Sequence, residues 1–75
     1  MNRQRRKRLE EAISKLEELQ AEIQSIAEEE RESFDNMPES LQDGERGQQI
    51  SENADNLEYV DSDFDSLLDT LREIQ

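Results

Sequence analysis

Two apolar stripes of equal period constrain this chain more than any other feature. Leu9, Leu16 and Ile23 stand seven residues apart, and Ile13, Gln20, Ala27 and Phe34 form a second row offset by four. Ala12, Leu19 and Ile26 make a third row beside them. The layout then returns. Ile50, Leu57, Phe64 and Leu71 recur every seven residues, with Ala54, Asp61, Leu68 and Gln75 as the second row and Asn53, Val60, Leu67 and Ile74 as the flank. A seven-residue repeat of this kind is the a/d seam of a coiled coil, and the third row widens it to the broader face of a bundle helix. The residues between are mostly Glu, Lys, Gln and Ser, all compatible with an exposed helix face. Glu11 and Lys15, four apart in the favourable order, add about 0.2–0.5 kcal/mol.

The stretch from Phe34 to Gly47 separates the stripes and holds the only proline and both glycines. Pro38 disfavours helical geometry at Met37 and ends the first helix near there. Asn36 and Ser40 suit turns or a cap. Pro38 to Gln42 has the makings of one helical turn with proline at its first position. Asp43 is the expected N-cap of the second long helix, with Glu45 favouring its first turn. Met37 and Leu41 are apolar in a polar loop and are expected to plug the end of the core. The predicted fold is therefore all-α, a single antiparallel two-helix hairpin over residues 1–75. It comprises a basic segment 1–8, helix 1 over about 3–35, a loop over about 36–43 and helix 2 over about 44–75. The helices should cross at roughly 20°. At about 28 residues each and ~1.5 Å per residue they would run ~42 Å.

A chain of 75 residues holds one small core, worth about 3–5 kcal/mol. It has no cysteine and no histidine, so disulfides, thiolate ligands and imidazole ligands are all absent. Two helices leave the outer edges of such wide stripes wet. Leu19, Ile26, Phe64, Leu67 and Leu68 cannot all be covered by one partner helix. Each is worth about 1.5–3 kcal/mol on burial. The expected remedy is a homodimer forming a four-helix bundle, and docking on another protein would serve the same physics.

Charge is distributed unevenly. The net charge is -12, yet Arg3, Arg5, Arg6, Lys7 and Arg8 hold five of the nine positive charges. Residues 9–75 then carry 21 acidic against four basic groups, a balance of -17. Helix 1 runs against its own dipole, with its cations at the start and Glu28, Glu29, Glu30 and Glu32 at the end. A helix prefers the opposite order by about 0.3–1 kcal/mol per charge, so a neighbouring helix or a partner must favour this one. The basic cluster is a possible anion contact. It has no aromatic residue for base stacking and sits in an acidic chain, so a solvated first turn is the stronger reading and direct nucleic-acid binding is disfavoured. No apolar stretch follows the basic start, and no run approaches the ~18 apolar residues of a membrane span, so neither a signal peptide nor a membrane segment is expected. A reducing cytoplasm is the expected setting.

No residue pattern supplies a catalytic group or a cofactor site. Asp61-Ser62-Asp63-Phe64-Asp65-Ser66 resembles the opening of a calcium loop, but Ser66 replaces the required glycine and Arg72 stands where the bidentate Glu belongs. A bundle di-iron site needs histidine. Gln20 and Asp61 are the polar seam positions, and such residues more often set register than chemistry. Asp61 is the one carboxylate that burial could tune for acid–base work. The chain is expected not to be an enzyme and to bind neither metal nor cofactor.

The acidic surface remains. Glu52, Asp55, Glu58, Asp61, Asp63, Asp65, Asp69 and Glu73 lie along helix 2 and form the candidate partner-binding face. A charge of -12 over ~42 Å is about one per 3.5 Å, and a side-by-side dimer about one per 1.8 Å. Duplex nucleic acid carries one per ~1.7 Å. The alternative is that acidic helices are simply soluble.

The loop Phe34-Asp35-Asn36-Met37-Pro38-Glu39-Ser40-Leu41-Gln42, followed by Glu45-Arg46-Gly47, resembles small acidic helical proteins encoded by bacteriophages, prophages and other mobile elements. Those proteins share a Glu-rich first helix, a Phe-Asp-Asn-Met/Leu-Pro-Glu loop, a Ser-Glu-Arg-like stretch and an acidic second helix. Here Asp43-Gly44 stands in place of a serine-containing turn. The resemblance brings no activity with it. It implies a mobile-element origin and raises the expectation of an inhibitor acting in a bacterial host. The functional expectation is thus a non-enzymatic protein that binds a host or anti-phage defence protein through its acidic face, occupying a basic nucleic-acid-binding surface. Asn36, Glu39 and Arg46 are the loop candidates for target contact. Two alternatives remain open: a structural or assembly bundle, and nucleic-acid contact through Arg3–Arg8.

Overall fold

The computed structural model describes residues 1–74; Gln75, placed in the second seam row and at the end of helix 2 by the periodicity, lies outside the described residues. Three helices follow in order: α1 (Arg3–Asp35), α2 (Glu39–Gln42) and α3 (Glu45–Glu73). The long helices α1 and α3 pack antiparallel along a hairpin whose Cα extents are 59 × 15 × 12 Å. No described residue is in a strand.

The start of α1 is fixed by a residue outside the periodic pattern. Asn2 has extended backbone angles, and its side-chain carbonyl accepts from the Arg5 N–H at 2.8 Å. That is the N-cap exchange expected of asparagine. At the far end Asn36 closes α1, its N–H donating to the Glu32 carbonyl at 2.9 Å. The chain then turns through Pro38, which caps α2 rather than standing as its first helical residue.

Two details of the connection differ from expectation. Asp43 is not the N-cap of the second long helix. The Gly44 N–H donates to the Leu41 carbonyl, which holds Asp43 at helical angles (φ -81, ψ -10) as the last residue of α2's turn. An N-cap needs extended angles, and Gly44 supplies them with φ -79 and ψ 174. Leu41 does not plug the core either: it is 54 % exposed, while Met37 is half-buried. The inward side chain of α2 is Gln42, whose amide donates to the Phe34 carbonyl at 3.1 Å and the Met37 carbonyl at 3.2 Å. The Gln42 amide thus adds a second donor to the Phe34 carbonyl, which also accepts from the Met37 N–H at 3.1 Å, and satisfies the Met37 carbonyl of the turn, while Leu41 faces outward.

The core is a two-row seam. On α1, Leu9, Ile13, Leu16, Gln20, Ile23, Ala27, Glu30 and Phe34 are buried or half-buried; on α3, so are Gly47, Ile50, Ala54, Leu57, Asp61, Phe64, Leu68 and Leu71. Gln20 bonded to Asp61 fixes the register, which sets Ala27 level with Ala54 and Ile13 level with Leu68. Among the described residues the buried apolar side chains are Ala27, Ala54 and Leu68. The aliphatic residues of the third rows stay wet: Leu19 is 50 % exposed, Ile26 46 % and Leu67 47 %. Leu68 was expected to compete with these for cover, but it lies in the seam and is 2 % exposed.

Candidate functional site

Antiparallel pairing of two such helices places both third rows on one side of the hairpin. Ala12, Leu19 and Ile26 of α1 and Val60, Leu67 and Ile74 of α3 form that side, and all six are exposed. The opposite side is polar. It carries most of the bonds between the helices, the exception being the Asn53 amide of the apolar side, which donates to Glu30 at 3.2 Å, and it carries most of the acidic residues singled out from the sequence.

Arg31 is the hub of the polar side. Its guanidinium donates to Asp55 at 2.6 Å and to Glu58 at 3.3 Å. The bond to Asp55, aided by Glu58, raises the Arg31 pKa above its ordinary value, with partial desolvation opposing it. One turn along, Asp61 accepts from the Gln20 amide at 3.0 Å and the Gln24 amide at 2.7 Å, and Gln20 also donates to Asp65 at 2.7 Å. Towards the open end Arg72 reaches Glu17 at 3.3 Å and Asp69 at 3.8 Å. A shallow groove runs beside this network, lined by Gln24, Glu28, Arg31, Glu32, Asp35 and Glu58.

The candidate acidic residues therefore divide. Asp55, Glu58, Asp61, Asp65 and Asp69 are tied to α1 or to Arg72, though four of them remain exposed. Glu52 and Glu73 point to solvent. Asp63 is also exposed, but its heptad position lies beyond the apolar row, on the other side of α3. Asn36 closes α1 through its backbone N–H and its side chain is exposed; Glu39 opens α2, and Arg46 lies in the first turn of α3. Among the described residues no hydrogen bond or ion pair joins these three. Arg3, Arg5, Arg6, Lys7 and Arg8 are exposed in the first turns of α1, beside the C-terminal end of α3, where Arg6 lines a groove with Leu71 and Ile74. Cations are favoured near that end by the α3 dipole. The reversed charge order of α1 thus has one cause within the hairpin.

Arg31, Gln24, Glu17 and Arg72 were not singled out from the sequence, although a signal existed. Glu17, Gln24 and Arg31 are seven apart, as are Glu58, Asp65 and Arg72. Run antiparallel, the two rows match Glu17 with Arg72 and Arg31 with Glu58. The ion pairs are exposed, so each is worth little in stability; their agreement in register is what specifies the alignment.

Among the described residues no group of three acidic side chains is arranged to hold a metal ion, and no helix is long and apolar enough to cross a membrane. No family model, curated protein or solved structure matches the chain.

Proposed function

We propose that this chain is a non-enzymatic acidic interaction protein. In this reading two hairpins pair through their apolar sides into a four-helix bundle, and the acidic sides face outward to bind a host or anti-phage defence protein in the bacterial cytoplasm. The observation that carries it is the two-sidedness of the hairpin. One side holds exposed aliphatic residues in two heptad rows; the other holds Asp55, Glu58, Asp61, Asp65 and Asp69. An exposed apolar stripe of this length marks an interaction surface. Carboxylates in an ordered array suit a basic partner, for which complementary charge gives specificity and fast association. The loop's likeness to phage-encoded proteins supports the same class of target.

Nucleic-acid mimicry is met only in part. Along 59 Å the net charge of -12 is about one per 5 Å, and about one per 2.5 Å for two protomers side by side, still sparser than the ~1.7 Å of a duplex. The longer hairpin dilutes the charge relative to the ~42 Å estimate. A basic protein groove is therefore a better match than a full duplex channel. The test is affinity capture from bacterial lysate, followed by binding at rising salt. Affinity should fall steeply with salt and with Glu52→Gln, Asp55→Asn and Asp69→Asn together. Binding indifferent to both would reject the acidic face as the contact. If the protein instead forms a large stable assembly and captures nothing basic, the structural-bundle reading takes its place.

A further inference from the structure

We infer that the second copy docks with its α1 antiparallel on α1 of the first, about a two-fold axis at Leu19. This rests on the homodimer reading and adds which helices meet. In the third row of α1, Arg5, Ala12, Leu19, Ile26 and Ser33 occupy successive heptads. That row is complementary in size about Leu19. Reversed onto itself it sets the small Ala12 against the larger Ile26 of the second copy, and Leu19 against its own counterpart. The adjoining outward row is Arg8, Lys15, Glu22 and Glu29. Reversed about a centre within one residue of Leu19, it sets Arg8 against Glu29 and Lys15 against Glu22, each pair occurring twice. All four residues are exposed, and none bonds to another described residue within the hairpin. They also lie on the side of α1 turned from α3, so no contact within the hairpin fixes their order. A reversed copy of the same helix does.

Area and charge agree with this. A side of 59 by 15 Å offers about 900 Å² per protomer, near the ~800 Å² per partner of a standard stable interface. Two chains of -12 repel, and α1's outer row is where cations and carboxylates alternate between the two halves of one helix. The two-fold sets α3 on α3 as well, bringing Val60 towards Leu67 of the second copy and Asp63 close to its own counterpart. That like-charge contact is the one unfavourable feature of the arrangement. The competing arrangement, with the axis along the bundle, would set α1 on α3 and match only Lys15 with Asp63.

The chain has no cysteine, so single spin labels report the geometry without interference. Gln4, Glu11, Glu18 and Ser25 form one exposed row of α1 away from the apolar side. With cysteine at each in turn, the interprotomer distance should be shortest at Glu18. Along the axis each further heptad step should add roughly 21 Å, from ~1.5 Å per residue on two reversed helices. Equal distances at all four positions would overturn the inference in favour of α1 on α3. No dipolar coupling at any position would overturn the homodimer reading itself. A charge exchange gives a second readout. Lys15→Glu should weaken dimerisation about tenfold by opposing Glu22 twice, and adding Glu22→Lys should restore it. Failure of the double variant to restore dimerisation would count against α1 on α1.

Discussion

Replacing Gly47 with alanine tests the reasoning about the connection, because two established effects predict opposite signs. In an ordinary helix Gly→Ala stabilises by about 0.8–1 kcal/mol, since alanine restricts the unfolded chain and favours the helix. Gly47 has helical backbone without positive φ, so nothing in its own conformation forbids alanine. Its surroundings do. A Cβ built there would stand 2.6 Å from the Leu41 carbonyl oxygen and 2.7 Å from the Gln42 carbonyl carbon, with the Gln42 oxygen nearer still. These are backbone atoms of α2 and cannot swing away like the end of a side chain. Relief requires moving α2, which loosens the Gln42 amide from the Phe34 and Met37 carbonyls. Overpacking costs about 1–3 kcal/mol, and each weakened hydrogen bond about 0.5–1.5 kcal/mol. After subtracting the helix gain, Gly47→Ala should destabilise by about 1–5 kcal/mol, lowering Tm by roughly 4–8 °C per kcal/mol at this size. Circular-dichroism melts at one fixed protein concentration measure it, with urea titration as a check that the m-value is unchanged. Gly44 is the control. Its angles are those of an N-cap, no side chain caps α3, and an added Cβ meets only the Leu41 oxygen at 3.4 Å. Gly44→Ser should therefore stabilise by a few tenths of a kcal/mol. A Tm that is unchanged or raised in Gly47→Ala would refute the close-approach argument.

Other expectations follow from the seam and its polar side. Leu68→Ala removes a side chain that is 2 % exposed and should cost about 2–5 kcal/mol, enough to leave the chain largely unfolded at low concentration by circular dichroism. Arg31→Ala should cost far less, and high salt should erase the difference from the parent chain in urea titrations. The raised Arg31 pKa means that its contribution is fully present below the ordinary arginine value and lost only as pH rises through the higher folded value. Across the neutral range it should therefore add no pH dependence to Tm. Gln20→Leu with Asp61→Leu should raise stability by about 1.5–3 kcal/mol through the added apolar burial, while loosening the hairpin register; a second set of amide resonances or a broadened interhelical spin-label distance would show the latter.

Much of the architecture was legible in the heptads. Both long helices, their antiparallel pairing and the seam rows follow from the spacing of Leu9, Leu16, Ile23, Ile50, Leu57, Phe64 and Leu71. So did the exposure of Leu19, Ile26 and Leu67, because a hairpin covers two rows and the sequence has three. The connection was less legible. Asp43 had the right chemistry for an N-cap but the wrong backbone, and Leu41 had the right hydropathy for a plug but the wrong side of α2. In both cases local propensity lost to a backbone hydrogen-bond requirement at the joint between helices. Asn2 was missed because its role depends on geometry at the start of α1 rather than on the stripe.

Composition and period alone determined that this chain is a helical hairpin with an acidic second helix, an apolar row left over, and neither a cysteine nor a histidine for chemistry. Helix period is a local property of the backbone, so residue spacing is enough to reveal it. The tertiary structure decided which side of the hairpin is which. Only the alignment of Gln20 with Asp61, Arg31 with Asp55 and Glu58, and Arg72 with Glu17 shows that most of the interhelical polar bonds gather on one side, Asn53 to Glu30 excepted, and the uncovered aliphatic rows on the other. That division depends on the register of two segments far apart in sequence. Register is set by all the contacts between the helices together, and no single stripe contains it.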